Sequence, residues 1–326
     1  MSGTLTILQA GPAMTVQDLG RPGYRALGLT HGGAADPTAL HEGAALLGQD
    51  PNCAALEMAG SGGSFEAEQD IRIALTGAQM QVSIDGEPIA WNASHLLPAG
   101  AKLTIGGARD GAYGYLHVGG GFDVEPVMES RSSHLAAGIG ALLQSGETLP
   151  LGADKGGETN LTLPRDNRFG AERVRIVASM QTDAFDEATR QRFTETTFRR
   201  DARANRMGAR MDHDGEGFAT GGQLTIVSEV ITPGDIQITG DGAPFVLMCE
   251  CQTTGGYPRI GTLQFEFVDL DEALAAETRH RADLATLPKR RQPLLRDPAR
   301  IRDLLGYQLI SGVVSATADP FEKDKT

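Results

Sequence analysis

Aromatic residues make up only 5% of the 326-residue chain, which instead holds 42 glycines and 16 prolines. That balance disfavours long packed helices and favours short strands joined by tight turns, since glycine supplies the positive φ angles such turns need. Cysteine is also scarce. Cys53, Cys249 and Cys251 cannot all pair with one another, and two of them are a single residue apart, which argues against a disulfide framework. Positive charge is in deficit: the formal net charge of −13 repels a phosphate backbone and excludes nucleic acid as the expected partner. The first nine residues lack a basic start followed by an apolar stretch, and no apolar run approaches the roughly 20 residues of a membrane span. A soluble, cytoplasmic protein without membrane contact is the expectation.

Several familiar chemistries fail for want of residues. No Gly-Lys pair occurs, so no P-loop lysine is placed to reach a nucleotide's terminal phosphates. His41-Glu42 has no second histidine four residues after the first, and Cys249-Glu250-Cys251 lacks the spacing and second pair of common zinc sites; no metal is expected. In a strand those two cysteines would share a face and line a core or pocket wall. None of the seven histidines sits in a recognisable Ser or Cys nucleophile motif. No Met-Lys-Met-like attachment site is present, so any biotin must arrive on another protein.

What is there reads as mainly β, in two lobes. Residues 1–152 form a β-rich lobe with strand-like stretches at 71–75, 81–84 and 102–105 and a hairpin signal at Asp85-Gly86. One helix is predicted over 37–47, capped by Asp36, with Pro37 at its first position and Gly48 past its end. The polar stretch 153–170 is the predicted linker. Residues 171–326 form the second lobe, with strands at 173–177, 223–227 and 245–251 and a helix at 183–194. Its tail predicts a helix at 270–287 and a basic run, Lys289, Arg290, Arg291, Arg296, Arg300 and Arg302, read either as a solvated face or as contact with an acidic partner.

The segment most suited to chemistry is Gln252-Thr253-Thr254-Gly255-Gly256-Tyr257-Pro258-Arg259-Ile260, leaving an apolar strand. It gathers hydroxyls, an amide, glycines that let backbone N–H groups approach a ligand, and a guanidinium suited to carboxylate or phosphate. The competing reading is a rigid turn whose arginine makes a structural ion pair. A second cluster, Asn205-Arg206-Met207-Gly208-Ala209-Arg210, offers two more arginines. Residues 17–23 and 31–36 place acids and bases on glycine-flanked loops, with Asp36 also serving as a cap, and Ser130-Arg131-Ser132 contributes Arg131 as a binding group.

In this order these motifs, with Ala55-Leu56-Glu57, residues 115–123 and Gly234-Asp235-Ile236-Gln237, resemble the KipA/PxpC family: C-type 5-oxoprolinase subunits, allophanate hydrolase subunit 2, or urea amidolyase-related carboxyltransferases. The resemblance implies a cyclophilin-like β-barrel architecture and a cytoplasmic hetero-oligomer with KipI/PxpB-like and PxpA-like subunits. It implies ATP-dependent opening of 5-oxoproline to glutamate by that complex, with this chain inactive alone and no ATP site identified in it. The pocket it implies is Asn205, Arg206, Arg210, Gln252, Thr253, Thr254, Tyr257 and Arg259, with Arg131, and no catalytic role is assigned to any of them. Glu250 departs from the aspartate expected two residues before the glutamine, and the chain after residue 270 departs from the family pattern. Two alternatives stand beside this reading: a carboxyltransferase acting on urea or a related amide with carrier-borne biotin, and a non-enzymatic antagonist of a KipI-like sensor-kinase inhibitor.

Overall fold

The computed structural model of the chain describes residues 3–163, 169, 174–179, 181–220, 227–264 and 313–315. It divides into two compact units, Met1–Pro22 with Gly32–Gly170, and Gly23–His31 with Ala171–Thr326. The mainly β expectation holds in both, and none of the described helices is long and apolar enough to cross a membrane.

The first unit holds strands β1 (Thr4–Gln9), β2 (Met14–Gln17), β3 (Ala55–Ala59), β4 (Ser64–Ala67), β5 (Ile71–Gly77), β6 (Met80–Ile84), β7 (Glu87–Pro88), β8 (Ala93–Leu97), β9 (Lys102–Ala108), β10 (Tyr113–Val118) and β11 (Thr148–Pro150). Antiparallel pairing orders them as β11-β1-β4-β9-β6-β7 and β2-β3-β10-β5-β8. The alternation of β9 shows why these are strands with one wet face: Leu103 and Ile105 enter the core while Lys102 and Thr104 do not. Strand β5 is buried on both faces. Ile71, Ile73 and Leu75 join the core formed with both sheets, and Ala74 packs on Leu46 and Leu47 of helix α1 (Pro37–Leu47).

Helix α1 begins and ends where its caps require. The Asp36 carboxylate accepts from Ala39 N, and Gly48 takes the left-handed conformation at φ 64°. Two buried carboxylates tie down the loop before it. Glu57 accepts from Ala35 N at 2.7 Å and from the Tyr115 hydroxyl at 2.6 Å, and that hydroxyl in turn accepts from Asp36 N. Asp18 accepts from Gly20 N, Arg131 N, and the hydroxyls of Ser130 and Ser132.

The second unit holds β12 (Arg175–Val177), β13 (Thr197–Arg200), β14 (Gly208–Asp212), β15 (Glu229–Val230), β16 (Asp235–Ile238), β17 (Pro244–Leu247), β18 (Thr254–Gly255), β19 (Arg259–Gln264) and β20 (Val313–Ser315). Seven of them form one antiparallel sheet, β12-β19-β16-β17-β14-β13-β20, and β15 pairs with β18 as a separate ribbon. The segment from Gly23 to His31 is fastened to this unit, where Arg25 donates to Ile231 O at 2.6 Å.

Two predicted elements shift. The helix expected over 183–194 becomes a 3-10 turn at Thr182–Ala184 and helix α2 at Glu187–Glu195. Phe185 goes extended to enter the core, and Asp186 caps α2 by accepting from Thr189 N at 2.7 Å. The strand expected over 245–251 stops at Leu247, and residues 248–251 form a turn with Cys251 N donating to Met248 O. Cys249 and Cys251 therefore do not share a strand face. Except for Val227, the strand predicted at 223–227 lies outside the described residues, as do the 270–287 helix and the basic tail.

Inside the first unit His117 is sealed against α1. The Thr76 hydroxyl gives its single hydrogen to Ala39 O, so it receives the Nε2 hydrogen of His117 at 2.8 Å. A Cβ on Gly43 would lie 2.4 Å from the imidazole, which explains a glycine in mid-helix. Burial lowers the His117 pKa from 6.5 to about 3. The unfolded chain thus binds a proton that the native chain refuses, and stability from this group is complete above pH 6.5 and lost as pH falls toward 3. Urea titrations at pH 7 and pH 5 should show a drop attributable to His117 of about 2 kcal/mol, absent from His117→Leu.

Candidate functional site

Strand β16 has one face in each of two environments. Ile236 and Ile238 point into the unit's core, which leaves Asp235 and Gln237 on the opposite face of the sheet. The pairing register extends that face across four strands: Arg210 of β14 opposes Phe245 of β17, Phe245 opposes Gln237 of β16, and Gln237 opposes Arg259 of β19. Residues directly opposed across antiparallel strands share a face, so these four side chains form a row about 14 Å long. A bulge between Ile236 and Gln237 makes the last pairing: Ile260 is the extra residue on β19 and fills the core while Arg259 aligns with Gln237. Gly208 is required beside this row, because a Cβ there would lie 2.0 Å from the Phe245 ring.

Arg259 is almost entirely occupied. Its guanidinium donates to Asp235 Oδ2 at 3.1 Å, Glu229 Oε2 at 2.8 Å, Val230 O at 3.1 Å and Gln181 Oε1 at 3.1 Å. Asp235 in turn accepts from the Thr262 hydroxyl and from Thr232 N. The arginine thus binds the β15–β18 ribbon and the start of β19 to the sheet, and the structural ion pair weighed from sequence is what forms. Arg206 behaves alike. Its Nε meets Glu250 Oε1 at 2.5 Å, both side chains being buried, and its carbonyl accepts from Glu250 N at 2.8 Å. Glu250, where the resemblance implies an aspartate, therefore locks the 205–207 turn against the chain leading into Gln252.

Other predicted residues are placed differently. Asn205 is exposed, and its carboxamide oxygen accepts from Met207 N and Gly208 N, which shapes the turn. Arg210 is 40% exposed and faces Asp241 at 2.9 Å and Asp212 at 3.4 Å. Gln252, Thr254 and Tyr257 are exposed, and Thr253 is half-buried with its carbonyl accepting from Ile231 N. These residues present amide, hydroxyl and phenol groups from a loop whose base Arg259 clamps. Cys251 sits behind them with Ile231, Leu247 and Phe245, and burial pushes its thiol up to about 11, too high for a ready nucleophile.

Arg131 lies in the first unit, apart from the row in sequence and in unit. It pairs with Asp123 at 2.7 Å and lines a cleft of about 190 Å³ with Val16, Val124, Ser130 and Leu143. The acids of the 17–23 and 31–36 loops are engaged: Asp18 in the hydrogen bonds above, Asp36 as the helix cap.

Sequence reading missed Gln237, Phe245 and the carboxylates that hold the arginines. One signal was legible: in Asp235-Ile236-Gln237-Ile238 polar and apolar residues alternate, and all four are buried. A strand of that pattern carries polar groups on a covered face, where they need partners or a task.

The family model for the carboxyltransferase domain, subdomain A and B, matches residues 27–276. The C-type 5-oxoprolinase subunit of Escherichia coli (strain K12) is 36% identical over 264 residues, covering 79% of this chain and 84% of that protein. Its counterpart in Haemophilus influenzae is 31% identical over 291 residues, covering 82% and 93%. Among solved structures, TTHA0988 superposes with a TM-score of 0.72 at 28% identity over 80% of this chain, which spans 51% of that one. The Kluyveromyces lactis urea amidolyase, at 22% identity and a TM-score of 0.70 over 80% of this chain and 17% of its own, shares the fold.

Breaking the two arginine sites should have unequal effects. Arg259→Met leaves the buried Asp235 carboxylate unpaired and should lower the unfolding free energy by about 3 kcal/mol or more. Arg210→Met removes an exposed pair and should lower it by less than about 1 kcal/mol. Urea titration of both variants checks the contrast, and equal losses would contradict a structural role for Arg259.

Proposed function

The chain belongs to the carboxyltransferase-domain family, subdomains A and B, and from that premise we propose that it is a subunit of an ATP-dependent 5-oxoprolinase complex. In that complex it contributes the substrate pocket where 5-oxoproline is opened to glutamate. Relatives named as 5-oxoprolinase subunits, matched over most of their length, support the assignment and the need for partner subunits; we propose KipI/PxpB-like and PxpA-like chains for that role.

The observation that carries the proposal is the clamped loop: Gln252, Thr254 and Tyr257 stand exposed on a segment fixed from beneath by Arg259. Opening a lactam puts negative charge on its carbonyl oxygen, and activation by ATP puts charge on an added phosphoryl group. Both are stabilised by donors already held in place, whose reorganisation has been completed during folding. In this reading Gln252, Thr253, Thr254 and Tyr257 hold the substrate, and Gly255-Gly256 offers main-chain donors that no side chain shields. Arg259 and Arg206 are positioning residues. Arg210, the more exposed arginine of the row, meets the substrate's carboxylate by exchanging its surface contact with Asp241. ATP is consumed by the complex, and its site is assigned to no residue of this chain.

The carboxyltransferase name of the family model favours a second reading, transfer of CO2 from biotin on another protein to urea or a related amide. The chemistry of an amide carbonyl held by fixed donors is common to both.

The test is glutamate release from 5-oxoproline and ATP by the chain purified with its co-encoded partner subunits, with this chain omitted in the control. Release that requires the chain is expected, and Gln252→Ala or Thr254→Val should lower kcat/KM by at least about tenfold in an intact complex, the worth of one good hydrogen bond. No release from a demonstrably assembled complex, together with carboxylation of urea when a biotinylated carrier is added, would replace the first reading by the second.

A further inference from the structure

The cleft beside Arg131 lies wholly within the first unit, and the proposed 5-oxoproline pocket uses none of its residues. Its volume of about 190 Å³ is the space of about six water molecules, enough for a small metabolite and below the roughly 300 Å³ at which pockets for drug-sized ligands begin. A nucleotide or biotin is too large for it to enclose. The walls are mostly apolar, with Val16, Val124, Leu143 and Leu149 among them, and Arg131 is the cation set in those walls. Asp123 accepts from Arg131 Nη2 at 2.7 Å, but the two side chains are 36% and 56% exposed, and an ion pair so open to water is exchanged at little cost. Arg131 Nε has no acceptor among the described residues. The guanidinium fork, suited to a carboxylate, is thus only partly used.

The main chain leading to Arg131 is held under strain. Residues 127–130 form a two-residue hairpin turn, with Val127 N donating to Ser130 O and Ser130 N to Val127 O. Its central residues, Met128 and Glu129, take φ of 54° and 66°. Asn-Gly or Asp-Gly usually fills such left-handed places, because a larger side chain there crowds its own carbonyl. Asp18 accepts from the Ser130 hydroxyl and from Arg131 N, each at 2.6 Å, and so keeps the turn and the arginine after it in place. Backbone strain that is over-determined in this way gathers at ligand-binding segments. Glu125 and Glu147, both exposed, also line the cleft, so a ligand bearing a carboxylate alone would meet repulsion as well as Arg131. An ammonium on the same ligand removes that conflict.

We infer that this cleft is a binding site for a free aliphatic α-amino acid. The ligand's carboxylate meets Arg131, its ammonium faces Glu125 and Glu147, and its side chain packs on Val16, Val124 and Leu143. The site stands apart from the 5-oxoprolinase reading and holds whether or not that reading does.

Calorimetric titration of the full chain with L-leucine tests this. One site with a Kd of about 1 mM or tighter is expected. Arg131→Met keeps the main-chain N–H that Asp18 accepts, so the melting temperature should stay within about 3 °C while leucine binding weakens by about tenfold or more. Two analogues probe the unmodified chain and stay decisive even where the variant does not fold. 4-Methylpentanoate, which lacks the ammonium, should bind at least about tenfold more weakly than leucine, and the Glu125→Gln/Glu147→Gln double variant should narrow that gap. N-acetyl-leucine should bind as weakly as 4-methylpentanoate. No heat of binding at about 10 mM leucine, leucine affinity unchanged in Arg131→Met, or 4-methylpentanoate binding as tightly as leucine each overturns the inference. N-acetyl-leucine binding as tightly as leucine would make the cleft a site for a polypeptide C-terminus and overturns it too.

Discussion

Arg259 held between Asp235 and Glu229 is the contact on which the candidate site depends. Asp235 is nearly inaccessible, and a carboxylate buried there without a partner would be costly. The guanidinium makes the charge tolerable and, in forming its bonds, draws together Gln181 before α2, Glu229 and Val230 of the ribbon, and β16 of the sheet. No other side chain fits these demands, since a lysine offers a point charge where four acceptors lie in different directions. The rigidity of the Gln252–Arg259 loop is thus a consequence of burying one carboxylate.

The same logic recurs in the first unit with acceptors in the leading role. Asp18 and Glu57 are buried: Asp18 is surrounded by main-chain N–H groups and hydroxyls from loops rich in glycine and serine, and Glu57 accepts from Ala35 N and the Tyr115 hydroxyl. Hydrogen bonds to a charged acceptor are roughly twice as strong as neutral ones. A few carboxylates can therefore hold loops that have little apolar surface of their own. The chain's net charge of −13 is then more than a surface property, because part of its acid content is turned inward to organise loops.

How far the sequence foretold this depended on the range of the interaction concerned. Helix α1 was legible to the residue, because its start and stop are set by Asp36, Pro37 and Gly48 within a dozen positions. Strand content was legible from turn chemistry and alternation. The occupation of Arg259 was not, since its carboxylate partners lie 24 and 30 residues away and reach it only through strand pairing and a bulge. The end of β17 was misplaced for a similar reason: residues 245–251 read as continuous strand, but Glu250 is turned aside to Arg206, 44 residues distant. Motif order singled out the loops proposed as the site, while the division of labour within them, arginines to hold and amides and hydroxyls to face outward, needed the fold.

That division also bears on the departure at Glu250. An aspartate at this position would have one methylene less with which to reach Arg206 Nε, now 2.5 Å from the glutamate oxygen. The main-chain bond from Glu250 N to Arg206 O fixes the two backbones independently of the side chain, so a shorter acid would have to be met by the arginine. Arg206 stands in a turn shaped by the Asn205 carboxamide, and such a turn has little freedom to follow. Glutamate with this turn is therefore a matched pair, its side chain spanning a separation that the main-chain bond has already set. Because the loop's exposed groups begin only two residues later, an ion pair sealed from solvent reinforces the stretch from which they project, although it touches none of them.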